Sequence, residues 1–201
     1  MTLALPADVT LYFARHGQTQ ANVETRFSGF KDTPLTTLGL AQAASVGHIL
    51  KRELGAADGY AFVASPLARA IATMRIARET MGLPPDGFAT DNRLKEINLG
   101  IWDQLTDQEA RAISPVLFEA RGNDKWHVRV PGGENYAEVA SRLTEWVREL
   151  KHDTVAVSHG AAIRILRGLL AGLDWRAMSA LDEPQGVVFR ACGSQVTRLD
   201  P

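Results

Sequence analysis

Short apolar runs that stop abruptly at polar residues alternate along this chain with longer stretches of helical period. Val9-Thr10-Leu11-Tyr12-Phe13-Ala14 is β-branched, aromatic and apolar and ends at Arg15-His16-Gly17, which predicts a buried strand followed by a polar loop. From Thr36 to Leu54 the pattern turns helical, with Leu40, Ala44 and Leu50 expected on one face and Gly55 as the C-cap. Tyr60–Ala64 predicts a second strand. Ser65 then reads as the N-cap, and Pro66 as the first residue, of a helix to about Met81 closed by Gly82 and Pro84-Pro85. Thr154–Ser158, His159-Gly160 and a helical stretch to about Leu170 form a third strand–helix unit.

Residues 104–131 break this rhythm. They are charged and irregular, with short helical patches at Asp107–Ile113 and Val116–Ala120, and end at Pro131-Gly132-Gly133. A helix from about Asn135 to Lys151 follows, and Val187–Ala191 and Gln195–Leu199 flank Cys192-Gly193-Ser194 as a β-hairpin. Strands alternating with helices imply parallel crossovers and a sheet covered on both faces. The expected fold is therefore α/β: a three-layer αβα sandwich with a mostly parallel sheet and a C-terminal hairpin. At 201 residues the whole chain, 1–201, reads as one domain, with 104–131 as an insertion or cap over the site.

Composition narrows the options. A lone cysteine, Cys192, excludes a disulfide framework or a cysteine-cluster metal site, fits a reducing compartment and reads as a small packing residue. Twenty-two Lys and Arg against 23 Asp and Glu give no general attraction to nucleic acid or anionic membrane. The first eight residues lack a basic n-region, and no window holds 18 uncharged apolar residues, so a cytoplasmic location is expected.

The candidate chemistry is positional. Three predicted strands end in Arg15-His16-Gly17, in Ser65-Pro66 with Arg69 one turn on, and in Ser158-His159-Gly160. Ligands of open α/β sheets bind outside the carboxyl ends of the strands, so two histidines and two arginines distant in sequence become neighbours. Arginine suits a phosphoryl group, and the helix N-termini after those strands add backbone donors. The implied ligand is a phosphate.

The same residues resemble the histidine phosphatase superfamily, also called phosphoglycerate mutase-like. The matching blocks are Arg15-His16-Gly17-Gln18-Thr19 with Asn22, Asp32-Thr33-Pro34-Leu35-Thr36 with Gly39 and Gln42-Ala43, and Ser65-Pro66-Leu67-Ala68-Arg69-Ala70 with Thr73. Leu94 to Trp102 around Glu96, Pro131-Gly132-Gly133-Glu134 and Ser158-His159-Gly160 complete the series, in family order from about residue 9 to 165.

The resemblance implies that His16 is the nucleophile, giving a transient phosphohistidine. Arg15, Arg69, His159, Asn22 and Gly17 would serve the phosphoryl group, and Glu96 would be general acid and then base. It places Pro131–Glu134 near the pocket. A neutral imidazole is nucleophilic near pH 7 if its other ring nitrogen is held by a hydrogen bond, which a close carbonyl beside Gly17 would provide. Glu96, among Ile97, Leu99, Ile101 and Trp102, is expected to be partly buried with a raised pKa. No metal and no cofactor is needed. His48, His152 at a helix end, and Arg75 and Arg78 on a solvated helix face read as structural, as does Ser65.

The stretch around Glu96 lacks the His-Tyr-Gly sequence associated with cofactor-dependent mutases, and Gln18, Met74 and Asp103-Gln104 depart from commoner family residues. The reading favoured is a metal-independent phosphomonoester hydrolase. The alternatives are a cofactor-dependent phosphoglycerate mutase, in which Arg111, Arg121 or Arg129 reads a carboxylate, and a non-catalytic phospho-ligand or protein-binding module. The expected partner is a small phosphorylated substrate, neither nucleic acid nor membrane, with the oligomeric state open and a homodimer among the options. Within 104–131, Phe118, Trp126 and Val128 are candidates for an apolar wall and Arg121, Lys125, His127 and Arg129 for further anion binding.

Overall fold

The computed structural model describes residues 3–201. Strands β1 (Thr10–Arg15), β2 (Ala61–Ala64), β3 (Ala89–Thr90), β4 (Thr154–Ser158), β5 (Val188–Cys192) and β6 (Gln195–Leu199) form one sheet in the order β3-β2-β4-β1-β5-β6. The pairs β1·β4, β2·β4 and β2·β3 are parallel, whereas β1·β5 and β5·β6 are antiparallel. The α-helices are α1 (Gln20–Val23), α2 (Thr37–Leu54), α3 (Ala68–Met81), α4 (Asp107–Ile113), α5 (Pro115–Asn123), α6 (Tyr136–Arg148), α7 (Gly160–Leu170) and α8 (Trp175–Ser179), with short 3-10 turns at Asn92–Leu94 and Gly100–Trp102.

Side-chain alternation along the central strands builds two cores. Leu11 and Phe13 of β1 and Ala156 of β4 pack with Val139, Leu143, Ile163 and Leu166 of α6 and α7. Tyr12 and Ala14, with Val155 and Val157, pack on the other face with Val46, Leu50, Ala70 and Met74 of α2 and α3. β4 is buried at every position, as a strand covered on both faces must be. Each large side chain so buried contributes roughly 1.5–3 kcal/mol. The α/β three-layer expectation is met, with the hairpin β5–β6 continuing the sheet beyond β1.

Several local expectations are corrected. Leu40 is 48% exposed, and the inward face of α2 is Gly39, Ala43, Val46, Gly47, Ile49 and Leu50, with Gly47 where the helix backs directly onto Ala77 and Thr80 of α3. α3 starts at Ala68, not Pro66, and Ser65 does not cap it. Its first free N–H groups, from Ala68 and Arg69, are taken by the Asp32 carboxylate from a remote loop. Arg78 is buried against the Phe62 ring and donates to the Pro84 carbonyl, and Cys192 is exposed at the hairpin end. α6 stops at Arg148, so His152 lies beyond the last helical turn. The short elements α1, α8 and β3 carry too little periodicity to be seen in sequence.

The 104–131 segment folds as α4 and α5 followed by a turn and an irregular stretch to Pro131. Thr106 and Glu109 form a capping box for α4, and Pro115 occupies the first turn of α5. An aromatic stack ties this segment to the loops at the carboxyl end of the sheet. Trp102 lies 5.8 Å from the Phe27 ring and 5.7 Å from Phe118, and its indole N–H donates to Ser114 Oγ.

Candidate active site

His16 leaves the end of β1, its N–H donating to the Ser158 carbonyl across the β1·β4 pair. The next turn is fixed by Gly17, where a Cβ would run into the Gly39 carbonyl oxygen, and the Gly17 N–H donates to Thr73 Oγ1 at 3.1 Å. That N–H is therefore turned inward; what Gly17 gives the imidazole is its carbonyl, which accepts from His16 Nδ1–H at 2.7 Å. A carbonyl can only accept, so Nδ1 carries the proton and Nε2 presents its lone pair. Burial first, then Arg15 and Arg69, push the His16 pKa well below the ordinary imidazole range and keep the ring neutral.

Arg69 is fully buried and fully committed. Nη1 donates to Asp32 Oδ1 at 2.7 Å and to the Lys31 carbonyl, and Nη2 to the carbonyls of Gly29 and Ser28. That loop is itself held by Asp103, whose carboxylate accepts from the N–H groups of Gly29, Phe30 and Lys31. The remaining Arg69 Nε–H lies between the two imidazoles, 3.3 Å from His16 Nε2 and 3.2 Å from His159 Nδ1. The ring centroids are 5.1 Å apart. His159 therefore carries its proton on Nε2 and donates it to Ser65 Oγ at 2.7 Å. Burial, then Arg69 and His16, lower its pKa well below the ordinary range too.

Glu96 sits on the first turn of α7. Oε1 accepts from the N–H groups of Ile97 and Ala162, and Oε2 from Ala161. These donors and the helix N-terminus favour the anion, but burial, reinforced by Glu183, prevails and raises its pKa. The supporting loop is clamped from behind. Arg142 donates to the carbonyls of Arg93, Lys95 and Glu96 and pairs with Glu134, which in turn accepts the Asn98 N–H. The Pro131–Glu134 block thus buttresses the Glu96 loop without lining the cleft.

A cleft of about 460 Å³ opens over these residues. Arg15, His16, Asn22 and Glu96 line it, whereas Arg69, His159 and Gly17 lie behind His16. Asn22 Oδ1 accepts from Thr19 N and Gln185 Nε2, leaving the amide nitrogen as the end available to a ligand. From the 104–131 segment, Asp107, Phe118, Arg121 and Lys125 reach the cleft. Trp126, Val128, His127 and Arg129 do not: Trp126 packs on the core, His127 pairs with Asp124 and Arg129 with Glu138. Arg111 stacks on Phe118 and pairs with Glu119 outside it.

The cleft cations differ in how they are balanced. Arg15 and Arg164 both pair with Glu183, and Arg26 with Glu24 and Glu109. Arg121, buried, donates to the Val128 carbonyl, and neither it nor Lys125 has a carboxylate partner among the described residues. Burial is the first cause lowering both pKa values. Tyr136, Arg164, Glu183 and Gln185 were not legible as site residues. Arg164, one turn into the helix after His159, carried a positional hint; Glu183 and Gln185 lie in an irregular loop that joins the site only because β5 pairs with β1. Among the described residues no three His, Cys, Asp or Glu side chains converge as metal ligands, and no helix is long and apolar enough to cross a membrane.

Comparison with known proteins places this geometry. Residues 11–190 match the sequence profile of the histidine phosphatase superfamily (branch 1). A 2,3-bisphosphoglycerate-dependent phosphoglycerate mutase of Methylobacterium radiotolerans is 35% identical, over 88% of this chain and 86% of that protein. A glucosyl-3-phosphoglycerate phosphatase of Mycolicibacterium vanbaalenii is 32% identical, over 85% and 79%. The crystal structure of the α-ribazole phosphatase from Shigella flexneri superposes with a TM-score of 0.82 at 25% identity, covering 96% of each chain. With its profile match running from β1 into β5, the chain belongs to the histidine phosphatase superfamily, branch 1.

Proposed function

We propose that this chain is a metal-independent phosphomonoester hydrolase that works through a phosphohistidine on His16. The observation that carries the reading is the His16 ring itself: Nδ1–H is fixed on the Gly17 carbonyl, Nε2 is unprotonated, and arginines flank it at the floor of a cleft. Nε2 attacks phosphorus, the bond from phosphorus to the ester oxygen breaks, and Glu96 gives its proton to the departing alkoxide. Glu96, now a carboxylate, takes a proton from water as the water oxygen attacks the phosphohistidine, which releases phosphate and restores His16. Arg15 and the Asn22 amide line the cleft where the phosphoryl oxygens would sit, preorganised donors of the kind that supply the largest electrostatic share of catalysis, while Arg69 and His159, behind the imidazole, hold and polarise His16.

Both a phosphatase and a mutase stand among the relatives. The absence of the His-Tyr-Gly sequence after Glu96 favours hydrolysis. Release of free phosphate in preference to isomerisation of 3-phosphoglycerate is the deciding assay. Because the arginines neutralise the phosphoryl charge, dialysis against EDTA is expected to leave the rate unchanged; loss of activity restored by a divalent ion would contradict the scheme.

Residues 104–131, read as a cap over the cleft, support a narrower substrate class. Arg121 is buried with its guanidinium on the Val128 carbonyl and no carboxylate in ion-pair contact, and half-buried Lys125 beside it faces Asp107 and Glu183 only beyond ion-pair contact, so both cations have charge left for a ligand to neutralise. The substrate is therefore a small phosphomonoester with a second anionic group, its body against Phe27, Leu99, Trp102 and Phe118. Arg121→Met is expected to raise KM about 100-fold for such a substrate, while an aryl phosphate lacking the second anion is unaffected. Equal losses on both would contradict this assignment. The two cores share one sheet, which supports reading the chain as one domain, and the lone cysteine supports a cytoplasmic setting.

A further inference from the structure

We propose that Glu183 is a positioning residue of this site, a second cleft carboxylate whose bridge from Arg15 to Arg164 couples the phosphoryl end of the cleft to its distal end. The proposal rests on the roles given above to His16 and Glu96. Glu183 comes from the loop between α8 and β5. That loop is pinned on its outer side, where Arg167 donates to the Asp182 carbonyl and carboxylate, and on its inner side, where Arg15 Nη1 donates to the Glu183 carbonyl at 2.6 Å. The carboxylate then reaches both ways, Oε2 to Arg15 Nη1 at 3.7 Å and Oε1 to Arg164 Nη2 at 3.1 Å.

Its seat is the first turn of α7. A Cβ at Gly160 would collide with the Glu183 carboxylate and come within 3.2 Å of Arg15 Cζ, so Gly160 is what lets the ion pair lie against the helix. The next two N–H groups of that turn, from Ala161 and Ala162, hold Glu96. Two carboxylates therefore share one helix terminus, one used in proton transfer and one paired to arginine. Arg15 Nε and Arg164 Nε are both buried without a hydrogen-bond partner. With no network of their own at that position, the two guanidinium groups take their orientation from Glu183, helped at Arg164 by the Tyr136 hydroxyl.

Two consequences follow from charge. Arg15 is part-neutralised before any ligand arrives, so a phosphoryl group competes with Glu183, and product phosphate is held less tightly than a free guanidinium would hold it. Glu96 faces Arg15, Arg69 and the Ile97 N–H, all favouring its anion, while Glu183 and burial favour its acid form. Removing the Glu183 charge leaves burial alone against the arginines and the Ile97 N–H, and so lowers the pKa of Glu96 from its raised position. Glu183 itself faces Arg15, Arg164, Lys125, Tyr136 and Glu96.

Glu183→Gln keeps the shape and removes the charge. The descending limb of the kcat/KM–pH profile on an alkyl phosphate is expected to move down by about one pH unit, and inorganic phosphate to inhibit about tenfold more tightly. The phosphohistidine burst from an activated aryl phosphate is expected to remain. Glu183→Asp retains the charge but is too short to bridge, so it is expected to keep the limb and still tighten phosphate inhibition. It also supplies the test if the Gln variant does not fold. A limb that stays put in the Gln variant, or phosphate inhibition that is unchanged or weaker in either variant, would overturn the proposal. A wild-type chain with no burst would instead overturn the His16 reading on which it rests.

Discussion

His16→Ala is expected to lose turnover by on the order of 10⁶, the scale seen when a hydrolase loses its nucleophile, and to take no label from a phosphorylated substrate. No other group near the cleft floor is placed to substitute. His159 has its Nε2–H on Ser65 and its Nδ1 toward Arg69, and it lies behind His16. Ser65 is fully buried as the acceptor of that hydrogen bond. Glu96 has both carboxyl oxygens on backbone N–H groups. Substantial activity in this variant, measured as phosphate release, would remove the phosphohistidine from the account. Because burial and the two arginines lower the His16 pKa, the nucleophile stays neutral well into the acid range. The acid limb of the wild-type profile is therefore expected below the ordinary imidazole range.

Glu96→Gln is expected to cost about 10²–10⁴ on alkyl phosphates, the usual contribution of a positioned general acid. An activated aryl phosphate, whose phenolate leaves without a proton, is expected to lose far less in the burst phase. The comparison belongs in that phase because hydrolysis of the phosphoenzyme also uses Glu96, so steady turnover on either substrate mixes the two steps. The wild-type pH profile carries the same signature. The acid form is the active one in the first step, its pKa is raised by burial and Glu183, and activity on alkyl phosphates falls as pH rises through that elevated value. Equal burst-phase losses on the two substrates would assign Glu96 to phosphate positioning or to the fold.

The strand–helix rhythm was legible because β1, β2 and β4 are short apolar runs ending at polar residues, and because buried strands need no amphipathic disguise. The convergence of His16, Arg69 and His159 followed from the same rule, since parallel strands bring their carboxyl ends together. Leu40 misled because the buried stripe of α2 runs through Gly39, Ala43 and Gly47 as well as Val46, Ile49 and Leu50, and periodicity counts only the large apolar residues. Ser65 misled because the cap it seemed to provide comes from Asp32, a contact no local pattern records. Glu183 and Gln185 were invisible for a topological reason: only the antiparallel pairing of β5 with β1 carries their loop to Arg15 and His16. The cap divided between signal and noise, because charged residues such as Arg121 and His127 look alike in sequence and differ only in which side of α5 and its following turn faces the cleft.

Rapid-quench trapping of the phosphoenzyme during a single turnover tests the central claim most directly. One phosphoryl group per chain is expected, on His16, stable to alkali and lost in acid, forming before free phosphate appears and decaying at the rate of turnover. A phosphoryl group on another residue, an acid-stable adduct, or full turnover with no phosphoenzyme at any time point would contradict it.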